Sequence, residues 1–238
     1  MMEHASGAYI RRYPPLGTSL FHDMGRLQDP ASIHTVFDVG ANVGQSALDF
    51  AQAFPKARIH CFEPVLDTFK KLARAAVGPR FHHNHLALGS APGVIQMEVN
   101  DDPAFADMNS LTGRHPFAGA SDYHTEKVKI VTLDEHRSTM GLQRIDFLKI
   151  DTEGFDMEVL RGAARTLTEK NIGWIFVEIS MSNANEFHVP LADVAAFLEP
   201  HGHHLFALYD QAQEHEQSSP RLRRANALFM PSDPQAFR

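Results

Sequence analysis

One cysteine, Cys61, is all that the 238 residues contain, so no internal disulfide can form and a reducing compartment fits. No apolar run approaches the length of a membrane span, and no membrane insertion is expected. A basic block is missing as well. The densest cluster, Arg221-Leu222-Arg223-Arg224, is short, and the formal net charge is −7. Duplex nucleic acid binds mainly through phosphate neutralisation, so nucleic acid is not an expected partner. The opening Met1-Met2-Glu3-His4-Ala5-Ser6-Gly7 lacks a basic stretch followed by an apolar core, the mark of a secretory signal, and a cytoplasmic location is expected. There is no internal repeat and no low-complexity tract, and no feature speaks to an oligomeric state.

What is present is ordinary for a globular chain: 43% apolar and 21% charged residues. The length suits one sizeable core. Residues 1–32 carry Pro14, Pro15, Gly17 and Pro30 among aromatics. They read as an N-terminal extension, extended or partly helical, lying on a single domain at 33–238.

From His34 onward short apolar runs alternate with helical periodicity. Strands are expected at Thr35–Val39, Arg58–Phe62, Phe81–Leu86, Ile145–Ile150, Gly173–Ile179, His204–Leu208 and Ala225–Met230. Helices are expected at Gln45–Phe54, Leu66–Ala76, Asp156–Glu169 and Leu191–Glu199, the third with Val159, Leu160, Ala163 and Leu167 on one face. This alternation means βαβ units and a parallel sheet. Val94–Val99 and Lys127–Thr132 also read as strands with no helix between them, an antiparallel insertion after the third core strand. The closing strand-loop-strand points to an antiparallel strand at or near the sheet edge. The fold class is α/β, a Rossmann-like doubly wound sheet of seven mostly parallel strands, with Thr35–Val39 inside it.

The sharpest local signal is Val36-Phe37-Asp38-Val39-Gly40-Ala41-Asn42-Val43-Gly44: an apolar strand, a tight glycine turn, then a helix. Glycine lets the backbone turn and approach a ligand without a Cβ in the way. Asn42 stands where many nucleotide folds have glycine, and Asn tolerates positive φ best among the other residues. Glu63 ends the next strand, nineteen residues beyond Gly44, at an offset suited to ribose hydroxyls. Gly40, Gly44 and Glu63 together indicate an adenosine-type cofactor. Asp38 would repel a dinucleotide's pyrophosphate placed over the turn. The full G-x-G-x-x-G spacing is absent too. Both points favour S-adenosylmethionine over NAD.

A second block, Asp146-Phe147-Leu148-Lys149-Ile150-Asp151-Thr152-Glu153-Gly154-Phe155-Asp156, runs from an apolar strand into three acids. Asp151 and Glu153 project to the same side of an extended segment, at the strand end where open α/β sheets bind ligands. They can orient the cofactor, accept a proton from a hydroxyl or hold a divalent cation; the cation is allowed rather than expected. Asp156 is more simply a helix N-terminal acid. Glu178, near the end of the apolar Ile175–Ile179 run, either lines the same site or is a partly exposed surface acid.

At these residues the sequence resembles the FkbM family of S-adenosylmethionine-dependent methyltransferases. Phe37 to Gln45, Phe62-Glu63-Pro64, Asn84 to Gly89, Asn109-Ser110-Leu111, Val131 to Asp134 and Asp146 to Asp156 occur in the family's order. The family usually has Glu at the position of Asp156. The resemblance implies O-methylation of a hydroxyl on a sugar, polyketide or related metabolite, hence a small-molecule or glycan acceptor. Asp38, Gly40, Asn42 and Gly44 are then expected around the methionine part. Glu63 with Pro64 is expected at the ribose, and Ala87 and Leu88 near the adenine. Asp151 is the first candidate base, followed by Glu153 and Glu178. Two rivals remain at this point: an NAD-dependent oxidoreductase, and a non-catalytic interaction module of the same fold. The histidine clusters His82-His83-His85 and His201-His203-His204 read as solvated or core side chains, Cys61 as an inert core thiol and Trp174 as packing.

Overall fold

Apolar strands with helices on either side close, in a computed structural model, into one seven-stranded sheet covered on both faces. The structure describes residues 13–100, 109–112, 123–181, 185, 188–215 and 219–233, and the backbone of 2–3 and 9–10; at 214–215 and 219–220 it describes the backbone alone. The rest of the expected arm and residues 101–108 and 113–122 of the expected insertion lie outside the described residues.

The elements in chain order are β1 (Met2–Glu3), β2 (Tyr9–Ile10), α1 (Leu20–Gly25), β3 (Thr35–Val39), α2 (Gln45–Ala53), β4 (Arg58–Phe62), α3 (Leu66–Ala75), β5 (Phe81–Asn84) and β6 (Ala87–Leu88). They continue with β7 (Gly93–Asn100), β8 (Tyr123–Val131), α4 (Leu133–Thr139), β9 (Ile145–Ile150), α5 (Asp156–Arg161), α6 (Ala164–Thr168), β10 (Ile172–Ser180), α7 (Leu191–Leu198), β11 (His203–His215) and β12 (Ser219–Pro231). The main sheet runs β11-β12-β10-β9-β3-β4-β5. Strands β10, β9, β3, β4 and β5 are parallel, and β12 is antiparallel to both its neighbours. The antiparallel strand is thus one place in from the edge. Every residue of β9 and β10 is buried, as strands covered on both faces require.

One face packs Val159, Leu160, Ala163 and Leu167, the expected helix stripe, against Val39, Ile150 and Val177. The other packs Phe50, Phe54 and Leu72 against Val36, Ile59, Phe147 and Trp174. Burying one such large side chain stabilises by about 1.5–3 kcal/mol. Met24 and Ile33 join this second cluster, and the Trp174 indole N–H donates to Gln28 Oε1 at 2.8 Å. Residues 20–33 are therefore built into the core rather than merely lying on it.

Three expectations need correction. The strand expected over Phe81–Leu86 stops at Asn84, and Ala87–Leu88 leaves for a separate three-stranded sheet ordered β6-β8-β7. There β7 and β8 are antiparallel as expected, but β6 is parallel to β8. The single helix expected over Asp156–Glu169 is two. Asp134 accepts from the Arg165 and Thr166 N–H groups and so caps a new start for α6. Helix α4 was not expected at all; it begins with a capping box of Thr132 and Glu135. No helix among the described residues is long and apolar enough to cross a membrane.

Candidate active site

The sheet reverses its winding between β3 and β9, and the chain leaves both strands at that point. Asp151 N–H donates to Val39 O at 3.0 Å, which ties the two strand ends together. Gly40 turns there with φ of 73°. A Cβ on it would stand 1.8 Å from the Asp151 carbonyl oxygen, so only glycine fits. Asn42 takes the positive φ expected of it, 47°.

Lys149 organises this junction from within the sheet. Its ammonium donates to Gly40 O at 2.7 Å and lies 3.3 Å from Asp38 and 3.4 Å from Asp151. Burial works against its charge, but the two carboxylates outweigh burial and hold the ammonium above its ordinary value. Asp38 is fully buried and also accepts from the Ser46 hydroxyl at 2.7 Å.

A cavity of about 370 Å³ opens at the carboxyl ends of the strands. That is a size suited to a small-molecule ligand. In strand order it runs from Glu63 after β4, past Gly40 after β3 and Asp151 after β9, to Glu178 on β10 and Arg224 on β12. Of the residues singled out in the sequence, Gly40, Asn42, Glu63, Pro64, Ala87, Leu88, Asp151, Glu153 and Glu178 line it. Asp38 and Gly44 do not. Asp38 faces Lys149 and Ser46 inside the fold, so its charge is answered there and cannot repel a pyrophosphate as expected. Gly44 starts α2 in a left-handed conformation and faces Leu72.

At the Glu63 end, the buried carboxylate accepts from the Asn42 and Val65 N–H groups at 3.1 and 2.9 Å. Burial pushes it up to about 7. Phe62, Val65, Leu86 and Leu88 supply an apolar wall beside it. At the other end three acids crowd together. Burial, with Asp151 and Glu178 nearby, pushes Glu153 up to about 8, and burial with Asp151 pushes Glu178 up to about 7. Arg224 pairs with Glu178. His188 stands beside both glutamates, and burial, helped by Arg224, holds its imidazole down at about 4. Glu153 itself has φ of 51°, and its carbonyl accepts from the Ser110 hydroxyl. Asp156 does not line the cavity. It accepts from the Thr152 and Gly154 N–H groups and closes the turn ahead of α5, the plainer of its expected roles.

Sequence reasoning gave no role to Lys149, His188 or Arg224. A lysine between Leu148 and Ile150 in a buried strand was the available signal for the first, since a buried ammonium must be paired. Most of the clustered histidines have partners within the fold. His83, His201 and His203 meet backbone carbonyls, His204 meets Ser232, and His82 stacks on His60. Cys61 is buried, and burial pushes its thiol up, as befits an inert core residue.

The family described as Methyltransferase FkbM domain matches residues 38–205. The 2-O-methyltransferase NoeI of Sinorhizobium fredii is 29% identical over 173 residues, which cover 68% of this chain and 70% of that protein. The 31-O-demethyl-FK506 methyltransferase FkbM of Streptomyces tacrolimicus is 26% identical over 204 residues, 74% of each chain. The hexuronic acid methyltransferase AglP of Haloferax volcanii is 26% identical over 157 residues, 64% of this chain and 59% of that one. Among solved structures, an S-adenosylmethionine dependent methyltransferase from Listeria monocytogenes has the same fold. It is 7% identical with a TM-score of 0.52 over 90% of this chain and 98% of that one.

Proposed function

The chain belongs to the FkbM methyltransferase family, and from that premise we propose that its strand-end cavity transfers a methyl group from S-adenosylmethionine to a hydroxyl of a sugar, polyketide or related small molecule. Membership of a methyltransferase family disposes of the oxidoreductase reading. The open cleft speaks against the purely structural one. The observation that carries the proposal is the single cavity running from Glu63 to Glu178 across the reversal point of the sheet.

The residues present suit the cofactor. Glu63 keeps lone pairs free for ribose hydroxyls while its backbone bonds hold it still. Pro64, Ala87 and Leu88 offer apolar lining for adenine. Gly40 and Asn42, with no large side chain between backbone and cavity, suit the methionine part. Bound there, S-adenosylmethionine supplies an electrophilic sulfonium methyl: an O–CH₃ bond forms as the S–CH₃ bond breaks, and its electron pair stays on sulfur. Alignment of the acceptor oxygen is the main demand. Asp151, between the glycine turn and the other acids, takes the hydroxyl proton. Glu153 and Glu178 bound the acceptor side. The catalytic domain is taken as 33–238, with 1–32 as an extension whose residues from 20 onward pack into its core.

Calorimetry with S-adenosylhomocysteine tests the reading. Saturable binding that weakens in Glu63→Gln is expected. Absence of binding at millimolar ligand, or tight NAD binding instead, would overturn it.

A further inference from the structure

His188 is nine-tenths buried, and its ring makes no hydrogen bond among the described residues. Its Nδ1 nevertheless points at two carboxylates: Glu178 Oε2 at 3.4 Å and Glu153 Oε2 at 3.9 Å. These separations exceed a hydrogen bond. All three ligand-type atoms lie within 4.8 Å of one another, and this is the one such set among the described residues. Three polar atoms that converge without bonding leave room between them. Donor atoms about 2.1 Å from a tetrahedrally bound ion stand about 3.4 Å apart, which matches the closer pair.

We propose that Glu153, Glu178 and His188 form a three-ligand site for a first-row divalent ion, with an open position facing the acceptor. The assignment rests on the methyltransferase reading above, because the open position is useful only if a hydroxyl is to be activated beside the methyl donor. An imidazole among the ligands favours cobalt or zinc over magnesium or calcium, which prefer oxygen alone. Three protein ligands with one vacancy is the pattern of a catalytic rather than a structural metal.

The surroundings agree with this. Glu178 uses Oε1 for Arg224 and turns Oε2 toward His188. A ligating carboxylate whose second oxygen is held by an outer partner is the usual arrangement. Three carboxyl groups, from Asp151, Glu153 and Glu178, line the cavity with Arg223 and Arg224, and a cation bound among them would favour their ionised forms. A hydroxyl bound at the vacancy would have its oxygen polarised and its proton made more acidic. Asp151 would still receive that proton, so the charge balance of the methyl transfer is unchanged.

The full chain, stripped with a chelator and dialysed, is titrated with Co²⁺ alone. One equivalent should bind and produce a visible absorption band from mixed nitrogen and oxygen ligation. The band should vanish in His188→Ala. Affinity in Glu153→Gln should drop by at least about a hundredfold, beyond the ~10–100-fold typical of an outer partner. Circular dichroism of each variant reports whether it has folded. Zn²⁺ should displace Co²⁺; Mg²⁺ should not. S-adenosylhomocysteine is titrated into the same stripped protein as a separate arm. S-adenosylhomocysteine binding without stoichiometric Co²⁺ binding would overturn the metal site and leave the methyltransferase reading standing. Co²⁺ binding unchanged in folded His188→Ala and Glu153→Gln would also overturn it. Co²⁺ binding without S-adenosylhomocysteine binding would keep the site and strike the reading on which its role depends.

Discussion

Lys149 and Asp38 meet inside the sheet, ammonium to carboxylate at 3.3 Å, with Asp38 fully buried and Lys149 nearly so. The pair joins β9 to β3 directly beneath the glycine turn. Removing one member leaves an unanswered buried charge, which costs about 3–5 kcal/mol. Lys149→Met should therefore lower the urea midpoint sharply. It should weaken S-adenosylhomocysteine binding as well, because the same ammonium holds the Gly40 carbonyl. Adding Asp38→Leu should recover part of the stability but little of the binding. A single variant that unfolds at the wild-type midpoint would dismiss the pair as a structural element.

Asp151 gives a sharper test of chemistry. Asp151→Asn keeps the shape of the strand end and removes the proton acceptor. Turnover on an acceptor found by screening sugar and polyketide hydroxyls should fall by at least about a hundredfold, within the ~10²–10⁴-fold range of a positioned base. Cofactor affinity should change little. Turnover equal to wild type would take the base role from Asp151.

Much of the frame was legible because its signals are local. Strands β3, β4 and β9 lie where expected to the residue, since each is an apolar run cut off by a turn, a helix start or acids. The glycine turn and Glu63 were legible for the same reason. What escaped depends on contacts between distant segments. Helix α4 is short and polar, and only the Thr132–Glu135 box marks it. His188 sits in a polar stretch and reaches the cavity because Pro190 bridges to Ser180 at the end of β10. Arg224 arrives through the register of β12 on β10, where it lies opposite Ser180. Asp38 was misjudged because its buried partner, Lys149, is more than a hundred residues away in the chain.

His60 should make the fold sensitive to acid. Its ring is buried, neither nitrogen has a hydrogen bond, and His82 and His136 lie against it with Nε2 atoms also unpartnered. Burial first, then His82, His136 and Arg58, hold its imidazole down at about 3. In the unfolded chain the same group takes a proton near pH 6.5. Between these values the unfolded state binds more protons, so stability falls as pH drops from about 6.5 toward 3, by up to about 1.4 kcal/mol per pH unit for this one group. Thermal unfolding measured from pH 7.5 to 5 should show a smaller drop for His60→Leu than for wild type. Equal slopes would remove His60 as a cause.

Gly162 should behave contrary to helix propensity. It sits between α5 and α6 with ordinary helical angles, φ −69° and ψ −9°, where alanine is normally favoured by about 1 kcal/mol over glycine. A Cβ there would stand 2.1 Å from the Gly89 carbonyl oxygen, a backbone atom that cannot step aside alone. The Gly162 carbonyl also accepts from Asp134 N–H at 3.0 Å, and the Asp134 side chain caps α6. Pushing Gly162 away from Gly89 therefore strains the cap as well as the contact. Overpacking of this kind costs about 1–3 kcal/mol, enough to outweigh the propensity gain. Gly162→Ala should lower the unfolding midpoint. The shift should extend to cofactor binding, because Gly89 directly follows Ala87 and Leu88 on the cavity wall. A midpoint raised by the alanine would mean that the two backbones are not held at this distance in solution.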